Sequence, residues 1–156
     1  MYKKILVPHG GTPAGDEALK HAISAARSSG GRITILHIVE EISHPPTFGL
    51  ASSEREKLLT QIAAANYSLK KEMNQEMQKR VELCTKEGIK ADSKTMIGDA
   101  AQAIMDTVKK DSIDLIVMAK RRKLKGVKKL LALGSVSRKI VENVKCAVLL
   151  VDIENL

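Results

Sequence analysis

The sequence predicts an α/β fold built on a doubly wound, open parallel sheet with helices on both faces. Short apolar segments alternate along the chain with longer segments of helical periodicity, which is the order that right-handed βαβ crossovers produce. The apolar segments are also nearly uninterrupted, as in strands buried on both faces. At 156 residues the chain has the size of one compact unit, so we expect a single domain over residues 1–156.

The first strand is the apolar run 5–7, and a helix follows it. Thr12 suits the N-cap of that helix and Pro13 its first position. Gly30 and Gly31 then end it. Small side chains at helical spacing predict close approach to the sheet; they are Ala18, Ala22, Ala25 and Ala26.

The second strand is the β-branched segment 33–39. An irregular loop over 43–53, marked by two prolines and a glycine, leads into a long helix over 54–87, which Gly88 ends. The early part of this helix is expected to project beyond the sheet. Its apolar face recurs every three or four residues at Leu58, Ile62, Ala65, Leu69, Met73, Met77, Val81 and Cys84.

The second half of the chain continues the same alternation. A weaker third strand covers 90–97, and Asp99 opens the helix after it. The most apolar strand, 114–119, runs into a basic segment. A last helix through Asn143 and a last strand, 147–151, complete the pattern.

The composition excludes several classes of protein. No apolar run approaches the roughly 20 residues of a membrane span, and the N-terminal segment lacks a secretory signal, so we expect a cytoplasmic protein without membrane association. Cys84 and Cys146 are the only cysteines. Each lies in an apolar stretch without a second ligand at metal spacing, which predicts small core residues rather than a metal site.

The net charge of +8 indicates either an anionic partner or simply solubility. Clustering favours a partner, since residues 120–129 hold seven Lys or Arg and no acid. Aromatic residues make up only 2% of the chain, too few for the stacking platforms of single-strand binders, so nucleic acid is an unfavoured partner.

Ligands of open parallel sheets bind outside the carboxyl ends of the strands. The candidate ligand-binding residues at those ends are Pro8, His9, Gly10, Gly11, Thr12, Ile38, Met118 and Ala119, with Gly134 and Ser135 opening the last helix. Glycine lets an anion approach the backbone, and the helix dipole attracts it. The alternative is that Ser135 is simply an N-cap.

No catalytic centre is evident. His9 has no obvious orienting acid nearby, so a ligand-lining or structural role is expected; Asp16 and Glu17 suit a helix dipole. His37 reads as a core histidine. We find no metal-ligand cluster and no nucleophile elbow, which favours a binding module.

Six segments together resemble the universal stress protein family over nearly the whole chain. They are residues 3–8, 36–39, 98–104, 114–118, 133–137 and 147–151, in the family's order. The resemblance implies a five-stranded sheet of order 3-2-1-4-5, a homodimer through the last strand, 147–151, and ATP or AMP in the crevice. A magnesium ion is implied only alongside a bound triphosphate, and slow hydrolysis of ATP stays an open alternative to binding alone.

The same resemblance assigns site roles. Ile38 would hold adenine through its backbone and Met118 would line the pocket, while Gly134, Ser135, Val136 and Ser137 would wrap the phosphates. Gly10 stands where nucleotide-binding members usually have an acid, and Ala119 where they have glycine. Fourteen residues separate Ala119 from Gly134 instead of the family's twelve, with Gly126 the nearest substitute for the missing loop glycine.

These departures predict weaker nucleotide binding. The basic residues Lys120, Arg121, Arg122 and Lys123 either meet phosphates and offset part of the loss or form a solvated loop. The sequence thus predicts a nucleotide-operated switch that signals to a protein partner. The alternatives are a dimeric scaffold without nucleotide and, less favoured, a basic protein that binds nucleic acid.

Overall fold

The computed structural model describes residues 1–40, 45–120 and 134–153. These ranges contain one parallel sheet of five strands in the order β3-β2-β1-β4-β5, which confirms the predicted architecture and strand order. The strands are β1 (Lys4–Pro8), β2 (Arg32–Val39), β3 (Ala91–Ile97), β4 (Leu115–Lys120) and β5 (Ala147–Asp152).

Within the described ranges, four helices join these strands: α1 (Pro13–Ser29), α2 (Ser52–Lys86), α3 (Ala100–Asp111) and α4 (Ser135–Asn143). The predicted boundary signals of α1 are confirmed, because Thr12 Oγ1 accepts a hydrogen bond from the Gly15 N–H and Gly30 ends the helix in the left-handed conformation, with φ of 62°. Asp99 likewise caps α3 by accepting from the Gln102 N–H.

The helices cover both faces of the sheet, as predicted, and alternate strand residues supply two cores. On one face Ile5, Val7 and Val117 pack with α1 and α2. On the other, Leu6 and Met118 pack with α3 and α4. Since every second residue of a strand points to the same face, uninterrupted apolar runs are what this three-layer arrangement requires.

Helix α2 is buried mainly in its last third. Met77, Val81 and Cys84 lie in the core, whereas Leu69, on the predicted apolar face, is 42% exposed. Most of the helix before Met77 is exposed, which fits the expected projection, but Ile62 in that part is buried. The exposure of Leu69 shows that the apolar periodicity continues beyond the part of the helix that packs in the core.

The two cysteines differ. Cys84 is buried, and that burial raises the pKa of its thiol to about 11; Cys146 is only half-buried, so its prediction as a core residue was too strong. Across the described ranges, no helix is both long and apolar enough to cross a membrane.

Candidate functional site

The topology creates a crevice at the carboxyl ends of β1 and β4. These two strands are neighbours in the sheet, yet the chain leaves β1 toward the α1/α2 face and reaches α4 on the opposite face after β4. The connections diverge at this point, which is the usual ligand position in such sheets.

The segment after β1 is tied to β2 by its backbone. Pro8 lies opposite Leu36 in the register, and the His9 N–H donates to the Leu36 carbonyl at 2.9 Å. The His37 ring donates from Nδ1 to the His9 carbonyl at 2.6 Å. His37 is therefore a buried histidine with a hydrogen-bond partner, as predicted.

The His9 side chain is buried and contacted on both ring nitrogens. Nδ1 accepts from the Gly11 N–H at 3.0 Å, and Nε2 lies 3.1 Å from Asp16 Oδ1. Because an N–H already points at Nδ1, the proton of the neutral ring sits on Nε2 and is donated to the carboxylate. The prediction that no nearby acid orients His9 was wrong: Asp16 reaches it because α1 folds back over the end of β1.

Asp16 is shared with an arginine of the long helix. Arg80 Nε donates to Asp16 Oδ1 at 2.9 Å and Nη2 to Oδ2 at 3.3 Å, while Nη1 donates to Glu76 Oε2 at 3.0 Å. Asp16 was expected only to complement the helix dipole; its principal partners are instead Arg80 and His9.

Burial and charge oppose each other in this cluster. Burial lowers the pKa of His9, and the neighbouring Asp16 carboxylate only partly offsets that effect. Burial would raise the pKa of Asp16, but the hydrogen bonds and charge of Arg80 outweigh it and hold that pKa below its ordinary value. At neutral pH the ring is neutral, and Asp16 and Arg80 form an ion pair.

Gly15 lets α1 pack directly on the imidazole. A Cβ at this position would lie 2.8 Å from both Cε1 and Nδ1 of His9, closer than carbon atoms can approach without displacement. The loop after β1 is thus held by Thr12, His9 and the tight Gly15 contact, while Gly10 and Gly11 remain exposed beside it.

The far side of the crevice is apolar at its base. Met118 belongs to the core on the α3/α4 face, and both Ile38 and Val136 pack against that core while remaining half-buried. Three predicted site residues, from β2, β4 and α4, thus share one apolar cluster. Ser137 is buried beside it, in the first turn of α4.

The N-terminus of α4 has no side-chain cap among the described residues. Gly134 is its N-cap, in extended conformation. A Cβ on Gly134 would meet no atom of the described part of the chain within 4 Å. Ser135 is the first helical residue and is exposed, so the alternative that Ser135 is the N-cap was wrong.

The basic residues fall partly outside the described chain. Lys120 is described, and its ammonium group lies 3.4 Å from Asp152 Oδ2 on β5. Ala119 packs against the core on the α1/α2 face. Arg121, Arg122, Lys123 and Gly126 lie outside the described residues.

Among the residues that are described, no group of three or more His, Cys, Asp or Glu side chains could hold a metal ion.

Comparison with known families identifies the protein class. The model of the universal stress protein family matches residues 1–152. The chain belongs to this family. The universal stress protein MJ0531 of Methanocaldococcus jannaschii is 32% identical to it over 152 residues, covering 97% of this chain and 82% of the relative.

Solved structures agree in fold. That of MJ0577, another universal stress protein of Methanocaldococcus jannaschii, has a TM-score of 0.78 at 22% identity and covers 100% of this chain and 99% of its own. A universal stress protein in complex with cAMP has a TM-score of 0.60 at 18% identity, with 97% of each chain covered. One from Archaeoglobus fulgidus in complex with dAMP has 0.59 at 15%, covering 96% of this chain and 97% of its own.

Proposed function

We propose that this universal stress protein binds an adenine nucleotide, ATP or AMP, or a related phosphorylated ligand, in the crevice between β1 and β4. Occupancy would act as a stress-response switch, because a ligand that binds one conformation better shifts the population that a protein partner recognises. The protein acts in this proposal as a binding module rather than as a catalyst.

The observation that carries the proposal is the open N-terminus of α4 beside an apolar cluster. The first N–H groups of a helix need partners. Within the described residues, an N-cap side chain accepts one of them in α1 and in α3, whereas the N-caps of α2 and α4 make no side-chain hydrogen bond, and only α4 begins at this edge with a glycine. Phosphate oxygens suit that position, since the helix dipole favours negative charge and glycine allows close approach. Ile38 and Val136, both half-buried against the core that contains Met118, would provide an apolar surface for the adenine ring.

Two further facts support a nucleotide. Universal stress proteins of the same fold have been solved with cAMP and with dAMP, and the chain carries a formal net charge of +8, which attracts anions. A magnesium ion would enter only with a triphosphate, held mainly by phosphate oxygens, since no acidic cluster is found within the described residues.

Gly10 and Ala119, where nucleotide-binding members of the family usually have an acid and a glycine, lead us to expect a lower affinity for nucleotide. Without a carboxylate at position 10 the site forgoes charge-assisted hydrogen bonds of about 1.5 to 3 kcal/mol, which corresponds to roughly tenfold to hundredfold weaker binding. The basic residues 120–123 offset part of this loss by pairing with phosphates. We therefore expect binding that is measurable but weaker than in members with the acid.

The test is calorimetric titration of nucleotide-free protein with ATP, AMP and cAMP. Gly134→Val blocks anion approach and should be tolerated by the fold, because φ at Gly134 is −60° and no atom of the described residues lies within 4 Å of its Cβ position. Ser135→Ala removes one hydroxyl, and Ser68→Ala, on the exposed part of α2, is the control. Saturable binding that only the α4 variants weaken supports the proposal. No heat at millimolar nucleotide overturns it and favours the scaffold alternative.

Nucleic-acid binding makes a different prediction from the same variants. Electrostatic binding to DNA would weaken steeply with salt and would be unaffected by Gly134→Val. Nucleotide binding through α4 would be lost in that variant at every salt concentration. DNA binding without any nucleotide binding would replace the proposed function.

We also propose a homodimer through residues 147–151 of β5. This strand pairs with β4 on one side and lies at the end of the sheet, where Leu149 is 41% exposed. An exposed apolar edge strand is a ready surface for pairing. Light scattering after gel filtration should give a dimer mass for the wild type and a monomer mass for Leu149→Lys; a monomeric wild type would refute the dimer.

A cytoplasmic location belongs to the same proposal. The thiols Cys84 and Cys146 are both free, as is usual in reducing compartments. Fractionation of cells with an antibody to the protein should place it with cytoplasmic markers, and recovery in a secreted or membrane fraction would contradict this.

A further inference from the structure

We propose that Arg80 on α2 is a positioning residue that acts through Asp16 and His9 to fix the loop formed by Gly10 and Gly11 at the edge of the crevice. The proposal rests on the proposed nucleotide-binding function of this edge. It assigns a role to residues far apart in the sequence.

The contacts form an unbroken chain across three elements. Arg80 binds both oxygens of Asp16, Asp16 receives the Nε2 proton of His9, and His9 Nδ1 accepts the Gly11 N–H. Helix α2 also approaches the loop directly, since a Cβ on Gly11 would lie 3.8 Å from Met73 Sδ. A change at Arg80 therefore reaches the backbone beside the ligand through three hydrogen-bonded steps.

This ion pair differs from two other arginine pairs of the described chain in the burial of its arginine. The Arg80 side chain is 16% exposed, compared with 59% for Arg27 and 56% for Arg32, whereas the 43% exposure of Asp16 is close to that of the acids in those pairs. An ion pair with one buried partner adds little net stability, because desolvation opposes the attraction, and the best-attested use of such pairs is to specify one geometry. We infer that the geometry specified here is that of the loop after β1.

The backbone of Gly11 needs a restraint that the hydrogen-bond network can supply. It adopts φ of 70°, a region that only glycine enters without strain, and glycine is also the most flexible residue in the unfolded and loop states. Without a restraint from another part of the protein, the two consecutive glycines at this edge would not keep one backbone conformation. The hydrogen bond to His9 supplies the restraint.

The arrangement makes the loop sensitive to pH. Protonation of His9 would place a hydrogen on Nδ1, opposite the Gly11 N–H, so that two donors would face each other and the loop contact would break. The groups that face His9 are Asp16 on α1, Arg80 on α2 with Glu76 behind it, and His37 on β2. Asp16 favours the charged ring, whereas burial, Arg80 and His37 disfavour it.

The test uses Arg80→Leu, Arg80→Lys and the matched control Arg27→Leu. Nitrogen-15 NMR of the His9 ring gives its tautomer and its titration midpoint, amide exchange reports Gly11, and calorimetry gives AMP affinity from pH 5 to 8. For the wild type we expect the Nε2–H tautomer and an AMP affinity that falls as the ring becomes protonated. Arg80→Leu should move the midpoint of both curves to higher pH, speed Gly11 exchange and weaken AMP binding about tenfold.

Arg80→Lys keeps the positive charge, so it should leave the midpoint closer to that of the wild type, and Arg27→Leu should change none of the readouts. A general loss of stability would not move a titration midpoint, which separates positioning from folding. An Nδ1–H tautomer, or an unchanged midpoint and Gly11 exchange in Arg80→Leu, would overturn the proposal. Failure of the wild type to bind AMP would instead overturn the proposed function, leaving the NMR readouts to decide whether the loop is positioned.

Discussion

The loop after β1 and the N-terminus of α4 lie at the same edge of the sheet, yet they differ in whether a side chain accepts hydrogen bonds from their backbone N–H groups. In the first region, Thr12 accepts one helix-end N–H and His9 accepts the Gly11 N–H. In the second, Gly134 offers no side chain, and no atom of the described residues lies within 4 Å of its Cβ position. The comparison indicates that the protein's own side chains satisfy the backbone donors on one side of the crevice, while none of the described side chains does so at the N-cap on the other.

The tight contact in the first region should give the largest effect. Gly15→Ala would force a methyl group into the buried His9 ring, and overpacking of this kind costs about 1 to 3 kcal/mol of unfolding free energy. Urea denaturation measures it. Gly134→Ala at the open site is the control and should cost clearly less; equal losses at the two glycines would contradict the comparison.

Removal of the arginine should come next. Arg80→Leu deprives Asp16 and Glu76 of a mostly buried partner and should lower the free energy of unfolding by about 1 to 2 kcal/mol. Arg27→Leu breaks an exposed pair and should cost less than about 1 kcal/mol. If the two variants lost the same free energy of unfolding, the burial of Arg80 would not contribute to stability.

Mild acid should loosen the first region. The pKa of His9 is lower in the folded protein than its ordinary value of 6.5, so the unfolded chain binds the proton more readily. The stability due to the neutral ring is therefore complete above pH 6.5 and declines as the pH falls through the folded pKa. His9→Gln should show a flatter stability curve between pH 7 and 5 in parallel melts. A curve as steep as that of the wild type would assign the dependence to other groups.

The open region should respond least in stability and most in ligand binding. Gly134→Ser supplies an N-cap side chain, which adds only a few tenths of a kcal/mol to the free energy of unfolding. The same hydroxyl would compete with phosphate for the helix N–H groups, so nucleotide affinity should fall. A variant that became more stable without binding nucleotide more weakly would show that phosphate does not use this helix end.

The sequence was sufficient for the fold because its signals are local. Uninterrupted apolar strands, Thr12 as a cap and Gly30 as a stop each act within a few residues, and the structure confirms all of them. The cluster of Ile38 and Met118 was also foreseeable, since both stand at the carboxyl ends of strands. Periodicity misled at Ala65 and Leu69, which lie on the predicted apolar face of helix α2 but are exposed.

The hydrogen-bond network of His9, Asp16 and Arg80 could not be predicted from the sequence, for a physical reason. Asp16 and Arg80 are 64 positions apart, and an acid in the first turn of a helix already has a local explanation in the dipole. Only the packing of α1 over β1, and of α2 beside it, brings the three side chains together. The spacing of seven residues from His9 to Asp16, across a tight turn, was the one available signal.

The central claim is that a nucleotide occupies the crevice with its phosphates on α4, and an NMR titration of nitrogen-15-labelled protein with AMP tests it most directly. We expect the largest, saturable shifts at the amides of Gly134, Ser135 and Ser137, with a second group at Ile38. Saturable shifts confined to residues away from this edge, or none at millimolar AMP, would contradict the claim.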